Sequence, residues 1–120
     1  MIDGWRQTAW SPGPQVRGIQ VIATLERSDV VSRVEMDLES ALLTYPRGLR
    51  IEGVDEGDAL VSLWDGGAAG PAIVGILRDW RRAPVVIDLP PTRLKQLALT
   101  LAVDEPSVDW TIAELRILGR

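Results

Sequence analysis

The sequence predicts an all-β fold: an antiparallel β-sandwich of about eight short strands. Three observations predict it. Apolar and polar residues alternate with period two through most of the apolar runs, which puts the two sets on opposite faces of a strand. Clusters of Gly, Pro, Asp and Ser interrupt those runs at regular spacing, as turns between short strands do. No helical segment recurs between the runs, so the rhythm of a parallel α/β sheet is missing.

The closing stretch sets the pattern. Thr111, Ala113, Leu115 and Ile117 alternate with Trp110, Ile112, Glu114 and Arg116. Glu114 has the apolar Ile112 as a neighbour on its own face, so its carboxylate calls for a cation or several donors. Residues 1–17 read as loop, from Asp3-Gly4 to the strong turn residues Ser11-Pro12-Gly13-Pro14. Ile19, Val21, Ala23 and Leu25 then alternate with Gln20, Thr24 and Glu26. After Arg27-Ser28-Asp29, Val34, Met36 and Leu38 stand opposite Arg33, Glu35 and Asp37. These are two half-buried antiparallel strands.

Residues 40–48 form a loop leading into a strand with Leu49 and Ile51 on one side and Arg50 and Glu52 on the other. A turn at Asp55-Glu56-Gly57-Asp58 precedes a strand from Ala59 to Trp64. Gly66-Gly67-Ala68-Ala69-Gly70-Pro71 reads as a flexible loop, Ile73 to Leu77 as a weaker strand, and Arg78-Asp79-Trp80-Arg81-Arg82 as a charged connection. Val85 to Leu89, Leu94 to Val103 and Trp110 to Leu118 complete the set, parted by Pro90-Pro91 and Asp104-Glu105-Pro106. Leu97 and Leu101, four apart, admit a helix over Leu94 to Val103. The alternation of Lys95, Leu97, Leu99, Leu101 and Val103 favours a strand.

The 120 residues, 46% apolar and 25% charged, make one domain over 1–120 with a core of its own. A formal charge of -4 argues against non-specific nucleic-acid binding, which depends on neutralising phosphates. With no Cys and no His, disulfides, thiol catalysis and thiolate metal sites are excluded, and the commonest general base and zinc ligand are missing. A metal site must therefore be built from oxygen, which favours calcium or magnesium. The glycine-rich loop lacks the Lys and following helix of a phosphate loop. Asp55 and Glu56 sit in a turn and read as solvated. The inventory is not that of an enzyme. No run approaches the roughly 18 apolar residues of a membrane span, and the start has no signal-peptide pattern. Turn chemistry already at residue 3 suggests a module excised from a larger protein, and the sequence alone does not name its compartment.

Three blocks carry a resemblance: Asp3-Gly4-x-x-x-Thr8-x-Trp10-Ser11, Tyr45-Pro46-Arg47-Gly48-Leu49-Arg50-Ile51-Glu52, and Trp110-Thr111-Ile112-Ala113-Glu114-Leu115-Arg116. Together, in this order, they resemble the discoidin or coagulation-factor 5/8 type C family, whose bacterial members include carbohydrate-binding modules of the galactose-binding-like fold. The resemblance implies an eight-stranded antiparallel jelly roll with its chain ends close together and its ligand loops at one rim. It also implies an extracytoplasmic (periplasmic or secreted) setting. The family's opening strand, which normally precedes the Asp-Gly turn, is missing from this sequence.

The resemblance further implies a structural calcium. Its ligands fall on a side-chain oxygen of Asp3, the carbonyl of Trp5, both oxygens of Thr8, the carbonyl of Ala113, and Glu114. Without a cation, Asp3 and Thr8 make a local hydrogen-bonded turn, and Glu114 is satisfied by backbone N–H groups or an arginine. Trp10 and Trp110 match core positions of the family pattern, and Trp64 has no clear place. Trp5 and Trp80 fall in expected loops beside arginines, and an aromatic plane with Arg donors is how a shallow sugar site is built. Trp80 read instead as a cover for the sandwich edge would leave its arginines solvated.

The candidate ligand-binding residues are therefore Trp5, Arg47, Arg78, Trp80 and Arg81. Arg47, held by a stiff Tyr-Pro step, contacts a ligand or pairs with Glu35 or Glu52. Ala41-Leu42-Leu43 is more apolar than an exposed loop needs. It is a membrane-inserting tip or a contact with a further domain, and the negative charge without a polybasic flank argues against membrane contact. Two functions follow: a non-catalytic carbohydrate-binding module with a structural cation site, or a structural module docking other domains of a larger bacterial glycosyltransferase or glycoside hydrolase. Exposure of Trp5 or Trp80 beside Arg47 or Arg78 favours the first.

Overall fold

The computed structural model describes residues 5–38 and 45–119, with the side chains of residues 5–12, 106, 111 and 113 outside that description. The described elements are β1 (Trp5–Gln15), β2 (Gln20–Asp37), β3 (Leu49–Val54), β4 (Leu60–Gly66), α1 (Ala69–Arg78), β5 (Pro84–Leu101) and β6 (Glu105–Leu118). Hydrogen bonding joins the strands in the order β1-β6-β2-β5-β3-β4, every pair antiparallel.

The expected β-sandwich is present, but two of its strands cross between the layers instead of ending at the corner. Residues 20–24 of β2 pair with 96–100 of β5. The register then slips twice, between Thr24 and Asp29 and again between Val31 and Arg33, before Arg33–Asp37 pairs with 84–88. One layer holds β1, β6 and the later part of β2 with the earlier part of β5. The other holds the remaining parts of β2 and β5 with β3 and β4. The strands expected at Ile19 to Glu26 and Val34 to Leu38 are thus one element, as are those expected at Val85 to Leu89 and Leu94 to Val103. Arg27-Ser28 and Pro90-Pro91 sit in bulges, which bend a strand, and there the N–H that proline lacks is not needed by the ladder.

The alternation delivers the core as expected. Val21, Ala23, Val34, Met36, Leu49, Ile51, Val85, Ile87, Leu97, Leu99, Leu101, Leu115 and Ile117 are all buried in one cluster between the layers. Each large aliphatic among them contributes about 1.5–3 kcal/mol of transfer free energy. Trp110 is buried with them, and Trp64, on β4, is half-buried against their edge.

Two local expectations are overturned. Within residues 1–17, Trp5–Gln15 is a strand rather than loop. Among the described residues it is the outermost strand and pairs only with β6. An edge strand tolerates Pro12 and Pro14 because one of its sides needs no donors, and Gly13, at φ 97°, takes up the slip in register after Trp10. The stretch expected as a flexible loop and a weak strand contains α1. Pro71 lies in its first turn, where the missing N–H is an orphan in any case. The small residues Ala68, Ala72 and Gly75 are buried. The β-branched Ile73 and Val74, which suggested a strand, point outward.

Gly75 is what lets the helix lie against β5. A Cβ there would stand 1.8 Å from the Pro84 carbonyl oxygen, and backbone cannot yield as a side chain can. Gly75→Ala is expected to push α1 off the sheet and cost about 2–3 kcal/mol, read as a lower urea midpoint. Gly70→Ala, where the added carbon meets nothing within 4 Å, serves as the control and should leave the midpoint unchanged or raise it.

Candidate ligand site on the outer face

Residues directly opposite across an antiparallel ladder share a face. Arg33, Glu35 and Asp37 on β2 pair with Asp88, Val86 and Pro84 on β5, and Glu35 and Asp37 also pair with Arg116 and Glu114 on β6. Their charges alternate, so they close into one chain of ion pairs. Asp88 meets Arg33 at 2.9 Å, Arg33 meets Glu35 at 3.8 Å, Glu35 meets Arg116 at 3.0 Å, Arg116 meets Asp37 at 2.7 Å, and Asp37 meets Arg82 at 3.2 Å. Glu114 adds a contact to Arg116 at 3.2 Å.

The centre of the chain is buried and its ends are open. Asp37 is 2% exposed. Arg116 grips it bidentately, Nη2 donating to Oδ1 at 2.7 Å and Nη1 to Oδ2 at 2.9 Å. Arg82 adds Nε to Oδ2 at 3.2 Å and Nη2 to Oδ1 at 3.3 Å. Burial pushes the Asp37 carboxyl up, but the hydrogen bonds and charges of Arg116 and Arg82 outweigh it and hold the group below its ordinary value of 3.8. The Asp37 hydrogen bond in turn raises Arg116 above its ordinary value.

Arg82 ties this chain to the loop that carries Trp80. Asp79 organises the loop: its Oδ1 accepts the N–H groups of Arg81 at 3.2 Å and Arg82 at 3.3 Å, and its carbonyl accepts that of Ala83 at 2.7 Å. Ala83, at φ 46°, turns the chain into β5, and its carbonyl accepts the Leu38 N–H at 3.2 Å. Trp80 projects from this braced loop, 66% exposed, with the Arg81 guanidinium 5.3 Å from its ring centre. Before the loop, a cleft of about 270 Å³ runs between α1 and β5, lined by Pro71, Val74, Gly75, Arg78, Pro84, Val86 and Asp88. The cleft offers apolar walls, a cation and an anion.

Of the five ligand-binding residues expected from sequence, Arg78 closes α1 and lines the cleft, and Trp80 and Arg81 follow in the loop, where they contact each other. Arg47 does not join them. It lies near the other end of the helix, where the Pro46 carbonyl accepts the Ala68 N–H at 3.3 Å, about 15 Å away by the rise of α1. It pairs with neither Glu35 nor Glu52. Its guanidinium stacks 3.8 Å over the Tyr45 ring and Nη1 donates to the Tyr45 carbonyl at 3.1 Å, while Gln15 Oε1 accepts the Arg47 N–H at 3.0 Å. That aromatic ring was the partner nearest in sequence.

The Trp5 side chain lies outside the described residues. So do Asp3, the side chains of Thr8, Trp10 and Ala113, and the apolar Ala41-Leu42-Leu43. For the expected cation site, the β1–β6 register sets Thr8 opposite Glu114, and Glu114 has the arginine partner that was its alternative. Sequence reasoning missed Asp88 and the whole ion-pair chain. The signal was the alternation Arg33-x-Glu35-x-Asp37 set against Glu114-x-Arg116, which carries complementary charge.

This two-layer antiparallel sandwich is shared with solved carbohydrate-binding modules. No family model and no curated protein matches this sequence. Among solved structures, it is similar to chitosan-binding module 1 of a chitosanase/glucanase from Paenibacillus sp. IK-5, at TM-score 0.66 and 13% identity over 92% of this chain and 76% of that one. The family 32 carbohydrate-binding module of EndoD from Streptococcus pneumoniae gives TM-score 0.65 at 14% identity, over 93% and 75% of the two chains. The family 32 module of AlyQ, solved with 4,5-unsaturated mannuronic acid, gives 0.63 at 14%, over 98% and 78%. At these identities the likeness establishes the fold.

The lowered Asp37 pKa fixes a pH dependence. The folded chain binds this proton less readily than the unfolded one, so the stability that Asp37 contributes is complete above about pH 4 and is lost as pH falls through its folded value. Thermal melts over an acid series should show the wild type weakening below about pH 4. Asp37→Asn, which leaves Arg82 without a carboxylate and Arg116 with Glu35 and Glu114, should be about 1.5–3 kcal/mol less stable at neutral pH, the range for a hydrogen bond to a charged group, and show a flatter acid profile.

Proposed function

We propose that this chain is a non-catalytic carbohydrate-binding module that takes its ligand at Trp80 and the cleft lined by Arg78. The observation that carries this reading is Trp80 itself, a large aromatic 66% exposed on a loop tied at both ends. An exposed indole is a flat apolar plane with a polar N–H edge, a surface on which a sugar's C–H face can stack. Arg78 and Asp88 in the cleft supply a donor and an acceptor for hydroxyl groups. At about 270 Å³ the cleft falls just under the roughly 300–1,000 Å³ of sites for drug-sized ligands, a size that suits a single ring. The fold shared with the chitosan- and mannuronate-binding modules supports the same reading. The setting that goes with it is a larger extracytoplasmic protein in which the module holds substrate for, or anchors, a separate activity.

Trp80→Ala should lower affinity for whichever oligosaccharide a glycan array selects by about tenfold or more, while the melting temperature barely moves because the ring is exposed. Unchanged binding by the variant would place the ligand elsewhere. A docking role is the second reading. It is favoured by the outward face of α1, where Ile73, Val74 and Leu77 are 59%, 49% and 82% exposed, and it takes precedence if the folded chain binds no glycan.

Within the same proposal, calcium joins β1 to β6 at Asp3, Thr8 and Glu114, with carbonyls of Trp5 and Ala113. Support comes from the Thr8–Glu114 register and from an oxygen donor set that suits a hard ion. Added calcium should raise the melting temperature of the wild type reversibly to chelator. Glu114→Gln should respond weakly or not at all.

A further inference from the structure

Resting on the glycan-binding reading, we infer that the ligand is an acidic glycan, one whose sugar rings carry a carboxylate or a comparable anionic group. The balance of charge around Trp80 points to it. Arg82 is committed to Asp37, and Asp88 is neutralised by Arg33 at 2.9 Å. Asp79 turns its Oδ1 to backbone N–H groups. Among the described residues, neither Arg78 nor Arg81 has a carboxylate partner. Two guanidiniums without a carboxylate partner thus lie within two residues of the exposed ring in sequence, Arg78 lining the cleft and Arg81 over the aromatic face, against the single carboxylate of Asp79.

In a chain of net charge -4, the other described arginines of this face, Arg33, Arg82 and Arg116, are all paired. A guanidinium matches a carboxylate with two parallel N–H donors, a fit that a neutral hydroxyl cannot return. The overall negative charge opposes a polyanion at long range. At physiological salt, however, charges beyond about 8 Å are largely screened, and the two unpaired arginines act at contact distance. Attraction is therefore local, and the same overall charge discourages indiscriminate adsorption of acidic polymers.

The test is calorimetric titration of the folded chain with oligogalacturonate, oligomannuronate and oligoglucuronate, each beside its carboxyl-reduced form, at low and high salt. At least one uronate should bind about tenfold more tightly than its reduced form, the margin between a charge-assisted and a neutral hydrogen bond, and the preference should shrink as salt rises. The double variant Arg78→Gln, Arg81→Gln should bring the two forms level, and Trp80→Ala should weaken both. Equal binding of uronate and reduced forms with the Trp80 effect intact would overturn the acidic assignment and leave the glycan-binding reading standing. Binding of no glycan, acidic or neutral, by a chain that melts cooperatively would overturn both.

Discussion

One buried carboxylate constrains the outer face of this protein. Asp37 sits at the end of β2 with 2% of its surface exposed, and an ionised group there must be paired or pay heavily for the loss of water. Two guanidiniums answer it from different parts of the chain, Arg116 on β6 and Arg82 after α1. Such a group often adds little net stability over an apolar equivalent, because desolvation consumes most of the Coulombic gain. Its value lies in direction. A bidentate pair has one good geometry, so Asp37 fixes how β6 lies on β2 and where residues 79–83 leave the helix.

From that constraint the placement of the proposed ligand site follows. The ion-pair chain has one end at Asp88 in the cleft and the other at Arg82, two residues beyond Trp80. Its interior is too buried for salt to screen fully, while its ends reach solvent. The helix is placed by a separate device: small residues inward, with Gly75 against the Pro84 carbonyl. Both devices set the position of Arg78 and Trp80 before any ligand binds, so less ordering entropy opposes binding than if the loop were free.

Much of the fold was legible in the sequence, because period-two alternation is a direct consequence of strand geometry. The inward sets Val21-Ala23, Val34-Met36, Leu97-Leu99-Leu101 and Leu115-Ile117 are buried as their spacing requires. What alternation cannot report is continuity. Pro90-Pro91 carries the same local signal in a bulge as in a turn, and only the partner strand decides between them. Likewise the prolines of Trp5–Gln15 exclude a central strand but not an edge one. Helix α1 was hidden for a different reason. Its fully buried residues are Ala72 and Gly75, with Ile76 packed partly against the core, while Ile73, Val74 and Leu77 are exposed, so large apolar residues fall on both sides and hide the helical period.

The site was legible where chemistry is local and obscure where it is not. Arg78, Trp80 and Arg81 lie within four residues of one another, so any fold that exposes the loop exposes them together. Arg47 was assigned a distant carboxylate but found the π-face two residues away, a partner that requires no chain crossing. Asp88, Arg33 and Asp37 entered only through register, because their pairing depends on which residues of three strands stand opposite one another. Register is set by the apolar face of each strand. The same alternation that buried Val34 and Met36 therefore also lined up Arg33, Glu35 and Asp37 on the outside. The core determined where the charges would meet, and the charges determined where Trp80 would stand.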